Sequence, residues 1–231
     1  MPCLAHIWGI TRNIPLTPRI LLSILALIQP AHLSGGHLSK IPIYTIGYGN
    51  RSIEDFVKVL QQYGIKFLVD IRSKPYSQFH PEFSRETLEK SLKQYGMQYL
   101  FMGDTLGGFP KDSACYVNGK IDYAKVREQA FFQKGIGYLR TAWEKQLRIV
   151  LMCSEAKPQE CHRSKLIGNT LIEQDIDVAH IDETGAIKTQ SQIDQMLTGG
   201  QLSLFSQDAS MPVNKKTGLS RKKHISRSES T

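Results

Sequence analysis

The chain is poor in four things: acids near its start, cysteine, repeats and long apolar runs. Each shortage excludes a class. Residues 1–40 carry Arg12, Arg19 and Lys40 and no acid at all. Four cysteines in 231 residues, Cys3, Cys115, Cys153 and Cys161, are too few for a disulfide scaffold in a chain long enough to bury its own core, and they point to a reducing compartment. The longest apolar stretch of the leader, Ile20 to Ile28, falls well short of the roughly 20 residues of a membrane span. Behind two arginines it has the look of a signal-peptide core. The long segment before it, holding Pro15 and Pro18, and the lack of a small-x-small cleavage site argue against that. Residues 1–40 therefore read as a poorly defined leader, and the protein as cytoplasmic with no membrane partner. No internal repeat is visible, which sets solenoids aside.

What the chain does contain is an ordinary globular composition, 41% hydrophobic and 22% charged, with a formal net charge of +8. That charge sits at the ends. The first forty residues supply +3 and residues 206–231 supply +4, through Lys215, Lys216, Arg221, Lys222, Lys223 and Arg227 against Asp208 and Glu229. This leaves +1 for residues 41–205. The central part is nearly neutral, so the total cannot be read as a cationic face on the domain.

Apolar runs at Ile43–Ile46, Phe67–Ile71, Gln98–Met102, Ile149–Met152 and Val178–Ile181 read as strands buried on both faces. Helical periodicity separates them. One helix starts at Ser52, with Asp55 completing a capping-box pattern. Another spans about Ser84 to Tyr95. A third is capped by Asp122 and runs through Phe131, a fourth covers Lys134 to Lys145, and a fifth follows Cys161 through Leu166, Ile167, Leu171 and Ile172. Strands alternating with helices imply an α/β fold in three layers: a mainly parallel sheet of about five strands with helices on both faces, spanning residues 41–198. Gly103 to Lys120 reads as a long loop, and loops of that length are usually functional or mobile. Residues 199–231 read as a flexible basic tail.

The stretch from Arg148 to Asn169 organises the domain: strand, loop, helix, with Cys153, Glu155, Cys161, His162 and Arg163 in or beside the loop. Ligands in open α/β sheets bind outside the carboxyl ends of the strands, where this loop would lie. A cysteine there, facing a helix N-terminus and Arg163, has a stabilised thiolate, so Cys153 or Cys161 is a candidate nucleophile, with His162 and Glu155 as proton-transfer groups. The competing structural reading makes Cys153 a small buried hydrophobe and His162 a helix cap. No metal is assigned, because the adjacent Cys161-His162 pair lacks usual zinc spacing and no fourth ligand is evident. The sequence does not identify a cofactor.

Asn50, Arg51, Asp70, Arg72, Ser73, Arg163 and Ser164 are expected to gather at the same edge. Two arginines, hydroxyls and two helix N-termini would make a receptor for a phosphate-bearing ligand. His80, with Tyr76 and Phe79, is placed to stack on a base. The alternative is that Arg72 pairs with Asp70 or Glu155 as scaffolding. Gly47-Tyr48-Gly49-Asn50-Arg51-Ser52 has the outline of a dinucleotide fingerprint, but Ser52 stands where the third glycine belongs, and a plain strand-to-helix turn explains it better.

Late in the chain, Gln201-Leu202-Ser203-Leu204-Phe205 resembles at every position the linear motif by which bacterial DNA-maintenance proteins dock on the replicative sliding clamp. Leu204 and Phe205 would anchor in an apolar pocket and Gln201 would hydrogen-bond in a polar one. Folding back onto the core as a strap is the alternative. The basic tail beyond would add affinity for DNA.

Thr45–Ser52, Leu68–Pro75, and Leu151–Glu155 with Cys161-His162-Arg163-Ser164 together resemble the domain-of-unknown-function family numbered 488, over about residues 43–182. The resemblance implies an α/β domain and little settled chemistry. Tyr48-Gly49 stand where many members look like His-Ser, so no histidine role carries over there. The Asp-Ile-Arg strand and the cysteine loop also resemble a rhodanese at the level of fold, although the loop from Cys153 to Arg163 is longer than that family's anion-cradling loop and contains Pro158. The expected function is a DNA-maintenance or repair-associated factor with an anion-binding cleft, docked to the clamp. The alternative is a cytosolic thiol-dependent enzyme, rhodanese-like or phosphate-transferring, that acts on a small molecule without nucleic acid.

Overall fold

The computed structural model describes residues 40–197. The pentapeptide, the basic tail and all of the leader but Lys40 lie outside the described residues. The chain runs through β1 (Ile43–Gly47), α1 (Ile53–Gln62), β2 (Phe67–Asp70), α2 (Arg85–Gln94) and β3 (Gln98–Phe101), then a short α3 (Gly103–Leu106). A two-stranded hairpin, β4 (Tyr116–Val117) and β5 (Lys120–Ile121), precedes α4 (Tyr123–Glu128) and α5 (Ala130–Glu144). Then come β6 (Ile149–Cys153), a wide π-helical turn over Arg163–Gly168, α6 (Asn169–Ile172), β7 (Val178–Ile181), β8 (Ile187–Thr189) and α7 (Gln190–Leu197).

The main sheet has six strands in the order β3-β2-β6-β1-β7-β8. The first five are parallel and β8 runs antiparallel to β7. Side chains alternate across the sheet. Val150 and Met152 pack with Phe56, Leu60, Leu88 and Leu92 from α1 and α2. Ile149, Leu151 and Cys153 face the other way, onto Val126, Phe132, Ile136, Leu139 and Leu166 from α4, α5 and the π-helical turn. Both faces are covered, which is why β6 is buried at every position.

Local sequence explains the element ends. Ser52 caps α1 by accepting from the Asp55 amide at 3.1 Å; Asp55 turns outward to Lys58 instead of closing the box. Asp122 caps α4 through the amides of Ala124 and Lys125. The expected break before Lys134 falls earlier: Gln129 is extended, so α4 ends at Glu128 and α5 takes in Phe131.

β6 lies between β1 and β2. The helices that follow β1 and β2 cover one face, while the helix that follows β6 covers the other. That is a topological switch point, and loops leaving it diverge to open a cleft.

Candidate active site at the sheet edge

A cleft of about 710 Å³ opens at the carboxyl ends of β1, β2 and β6. Tyr48 leaves β1, Arg72, Ser73 and Lys74 leave β2, Cys153 ends β6, and Ser154, Glu155 and His162 come from the loop after it. Gly108, Phe109 and Lys111, from the long loop beyond β3, form its far wall. Tyr76 and Phe109 stand at the mouth, both more than two-thirds exposed.

The floor is built from one loop. Cys153 is the last residue of β6, and a 3-10 turn over Pro158–Glu160 brings the chain back. Cys161 is extended (φ −114°, ψ 149°) and His162 helical (φ −61°, ψ −20°), so the two consecutive side chains turn toward the same point. Glu155 Oε2 lies 2.7 Å from Cys153 Sγ and 3.2 Å from Cys161 Sγ. His162 Nδ1 lies 3.8 Å and 3.6 Å from the same sulfurs. Its Nε2 faces the Ile71 carbonyl at 3.3 Å, which fixes the proton on Nε2 and leaves Nδ1 aimed at sulfur.

These contacts move the acidities. The hydrogen bond with Cys161, helped by His162, draws the Cys153 thiol down to about 6 against the opposing effect of burial. Burial and the neighbouring Cys153 push Cys161 up. Burial works against the His162 imidazolium, but Cys153 and Glu155 outweigh it and its pKa rises. Burial would raise Glu155 too, yet hydrogen bonds from Cys153, its own backbone and Cys161 hold the carboxyl below its usual range. An acidified thiol beside an imidazole is the chemistry this arrangement favours. Such a pair suits nucleophilic attack, and the same donor atoms suit a soft metal.

The arginines are placed differently from one another. Arg72 is buried and forks onto Asp70, Nε to Oδ1 at 2.9 Å and Nη2 to Oδ2 at 2.6 Å, with Nη2 also donating to the Phe83 carbonyl. Tyr99 donates its hydroxyl to Asp70 Oδ2 at 2.7 Å, so Asp70 is buried scaffolding behind the cleft wall. Arg72 Nη1 has no hydrogen-bond partner, although the side chain lines the cleft. Arg163 is wholly buried and donates from Nη1 and Nη2 to the carbonyls of Glu155 and Ala156, both at 2.8 Å. It braces the loop that carries Glu155 and is not part of the cleft lining.

Of the other expected site residues, Ser73 lines the cleft and accepts from the Phe109 amide at 2.8 Å, tying the two walls together. Asn50 is exposed and outside the lining. Arg51 donates to the carbonyls of Gly47 and Asp182, joining the ends of β1 and β7. Ser164 faces away, accepting from Gln190 at 3.1 Å. His80 packs edge-on to Tyr48 and Phe83, not over the cleft. Gly47 and Gly49 cradle no dinucleotide phosphate: a Cβ at Gly47 would lie 1.7 Å from the Glu155 carbonyl oxygen, and Gly49 adopts φ +53° against Ala156. Sequence reasoning missed Tyr48, Lys74, Gly108, Phe109, Lys111 and Ser154 as lining. The length of the glycine-rich loop was the one signal for Gly108, Phe109 and Lys111.

Fold and site together define an open α/β domain with a polar, aromatic cleft at its switch point, floored by cysteine, histidine and glutamate. The chain belongs to the family described as domain of unknown function DUF488, whose model matches residues 52–169. The match takes in the Asp70–Lys74 and Cys153–Ser164 segments and begins after the Gly47–Arg51 turn. No curated protein and no solved structure matches the chain. No helix among the described residues is long and apolar enough to cross a membrane.

Proposed function

We propose that the cleft receives a phosphate-bearing ligand with a planar ring, and that the protein is a cytoplasmic DNA-maintenance factor carried to its substrate by the sliding clamp. The observation that carries the ligand reading is Arg72. Asp70 holds it charged against burial, the side chain lines the cleft, and its Nη1 is buried without a hydrogen-bond partner. A buried donor on a cation is costly to leave unpaired, and an anionic oxygen would satisfy it. Lys74 and Lys111 add charge on the same cleft, and the exposed rings of Tyr76 and Phe109 offer faces for stacking.

DNA and the clamp enter through the basic C-terminal residues and the Gln201–Phe205 pentapeptide. The free cysteines Cys115, Cys153 and Cys161 suit the reducing cytoplasm.

Fluorescence anisotropy with a single-stranded oligonucleotide, compared with and without a 5′-phosphate, tests the cleft. The phosphorylated strand should bind more tightly, and Lys74→Glu with Lys111→Glu should remove most of the difference. Equal affinity for the two strands sinks the ligand reading.

A further inference from the structure

Cys153 Sγ, Cys161 Sγ and His162 Nδ1 lie within 4.8 Å of one another. Around a tetrahedral zinc ion, with sulfur at about 2.3 Å and nitrogen at about 2.0–2.1 Å, the two donor types stand about 3.5 Å apart. The sulfur–nitrogen separations here are 3.6 Å and 3.8 Å. Glu155 Oε2 lies closer than that, 2.7 Å from Cys153 Sγ and 3.2 Å from Cys161 Sγ, as a hydrogen-bond acceptor beside the three donors. From these positions we infer that Cys153, Cys161 and His162 hold a soft divalent metal ion, zinc by donor type, with its fourth position open to the cleft.

The surroundings match the needs of such a centre. The Ile71 carbonyl accepts a hydrogen bond from His162 Nε2–H, the outer contact that presents Nδ1 as the ligating atom. The Arg163 amide approaches Cys161 Sγ at 3.4 Å, and the Arg163 guanidinium adds positive charge behind two thiolates and a carboxylate. Through Glu155 O and Ala156 O the same guanidinium fixes the loop between the two cysteines. Ser154 donates to Glu155 Oε1 at 3.2 Å, which turns Oε2 toward the sulfurs. Gly108 packs so close to His162 that a Cβ there would lie 2.9 Å from Nδ1.

Cys153, Glu155 and His162 line the cleft, whereas Cys161 does not. The ion therefore sits at the cleft floor. An incoming anionic oxygen can take the open fourth position, and a phosphoryl group would then be polarised by the metal. This entry rests on the phosphate reading above; the binding of the ion does not.

The full chain, reduced and stripped with a chelator, is titrated with zinc(II) and with cobalt(II). One ion per chain is expected. The cobalt form should show tetrahedral bands and a thiolate charge-transfer absorption that falls by about half in Cys153→Ser or Cys161→Ser and persists in Glu155→Gln. Because a core cysteine variant can unfold, the wild-type chain supplies a second readout: zinc should slow alkylation of Cys153 and Cys161 by iodoacetamide while Cys115 keeps its rate. Failure to take up a stoichiometric ion overturns the inference. So does alkylation of Cys153 as fast with zinc as without, which returns the cluster to a free nucleophilic thiol. Ion uptake that survives Lys74→Glu with Lys111→Glu, while the phosphate preference is lost, separates the two readings. Loss of uptake with the phosphate preference intact removes the metal alone.

Discussion

Two arginines expected to do one job divide it. Arg163 has both Nη groups on backbone carbonyls and serves the loop, while Arg72 lines the cleft and keeps one buried Nη without a hydrogen bond. Residue type could not separate them, because the difference lies in which carbonyls the folded loop brings within reach. A histidine outside the site offers a cleaner measurement. His180 is buried between Thr45 Oγ1 and Gln190 Oε1, each 2.8 Å from a ring nitrogen. A neutral ring satisfies both contacts, donating to Gln190 and accepting from Thr45. Burial first, then Arg163, draws its pKa to about 4. In the unfolded chain it titrates near 6.5, so between these values the unfolded state binds more protons than the folded one. Its contribution is complete above about pH 6.5 and is lost as pH falls toward about 4, by about 3 kcal/mol in all. Urea unfolding across that range should show the decline, and His180→Gln should flatten it. An unchanged slope in the variant would refute the assignment. His162 shifts the opposite way, so the difference between wild type and variant is the quantity to compare.

At the scale of elements, the parallel strands were legible because each is a short apolar run bounded by glycine, proline or polar turns. β8 and the β4–β5 hairpin were not, since Ile187–Thr189 and Tyr116–Ile121 are brief, half-polar and partly exposed. α7 has only Gln190 and Ile193 buried, too little to show a stripe in sequence. The π-helical turn looked like ordinary helix because Leu166, Ile167 and Leu171 keep an apolar face in either form; such turns often mark functional sites. The Cys161-His162 pair seemed wrongly spaced for a metal, and what sequence could not convey is the change of backbone conformation between the two residues. The meeting of β1 with the cysteine loop gives the next prediction. Gly47→Ala would drive a Cβ to 1.7 Å from Glu155 O and 2.4 Å from Arg163 Nη1. The loop must move, at a cost of about 1–3 kcal/mol or more, and thermal unfolding together with metal uptake should both suffer. Gly137→Ala, on α5 with nothing within 4 Å, should instead stabilise by about 0.5–1 kcal/mol. Similar melting temperatures for the two variants would show that the β1–loop contact is not tight.

Over the whole molecule, charge and chemistry are kept apart. The cluster and cleft occupy a nearly neutral core, and the excess positive charge lies at the two ends of the chain. Removing residues 199–231 should therefore abolish capture by the purified clamp in a pull-down and lower the salt dependence of duplex binding, by about 0.9 in log–log slope per lost phosphate contact. The phosphate preference of the cleft should be unchanged. Undiminished clamp capture by the truncated chain removes the partner from the account.

The strand order bears on how the chain is made. β1 and β2 never pair with each other; the place between them belongs to β6, which leaves the ribosome some eighty residues after β2. Until Ile149–Cys153 emerges, both edges of β1 and one edge of β2 stay open on the nascent chain, and β2 can pair only with β3. Synthesis thus carries a long interval of exposure to aggregation, shortened when the segment that delivers Cys153 joins the two strands and ended when β7 covers the last edge of β1.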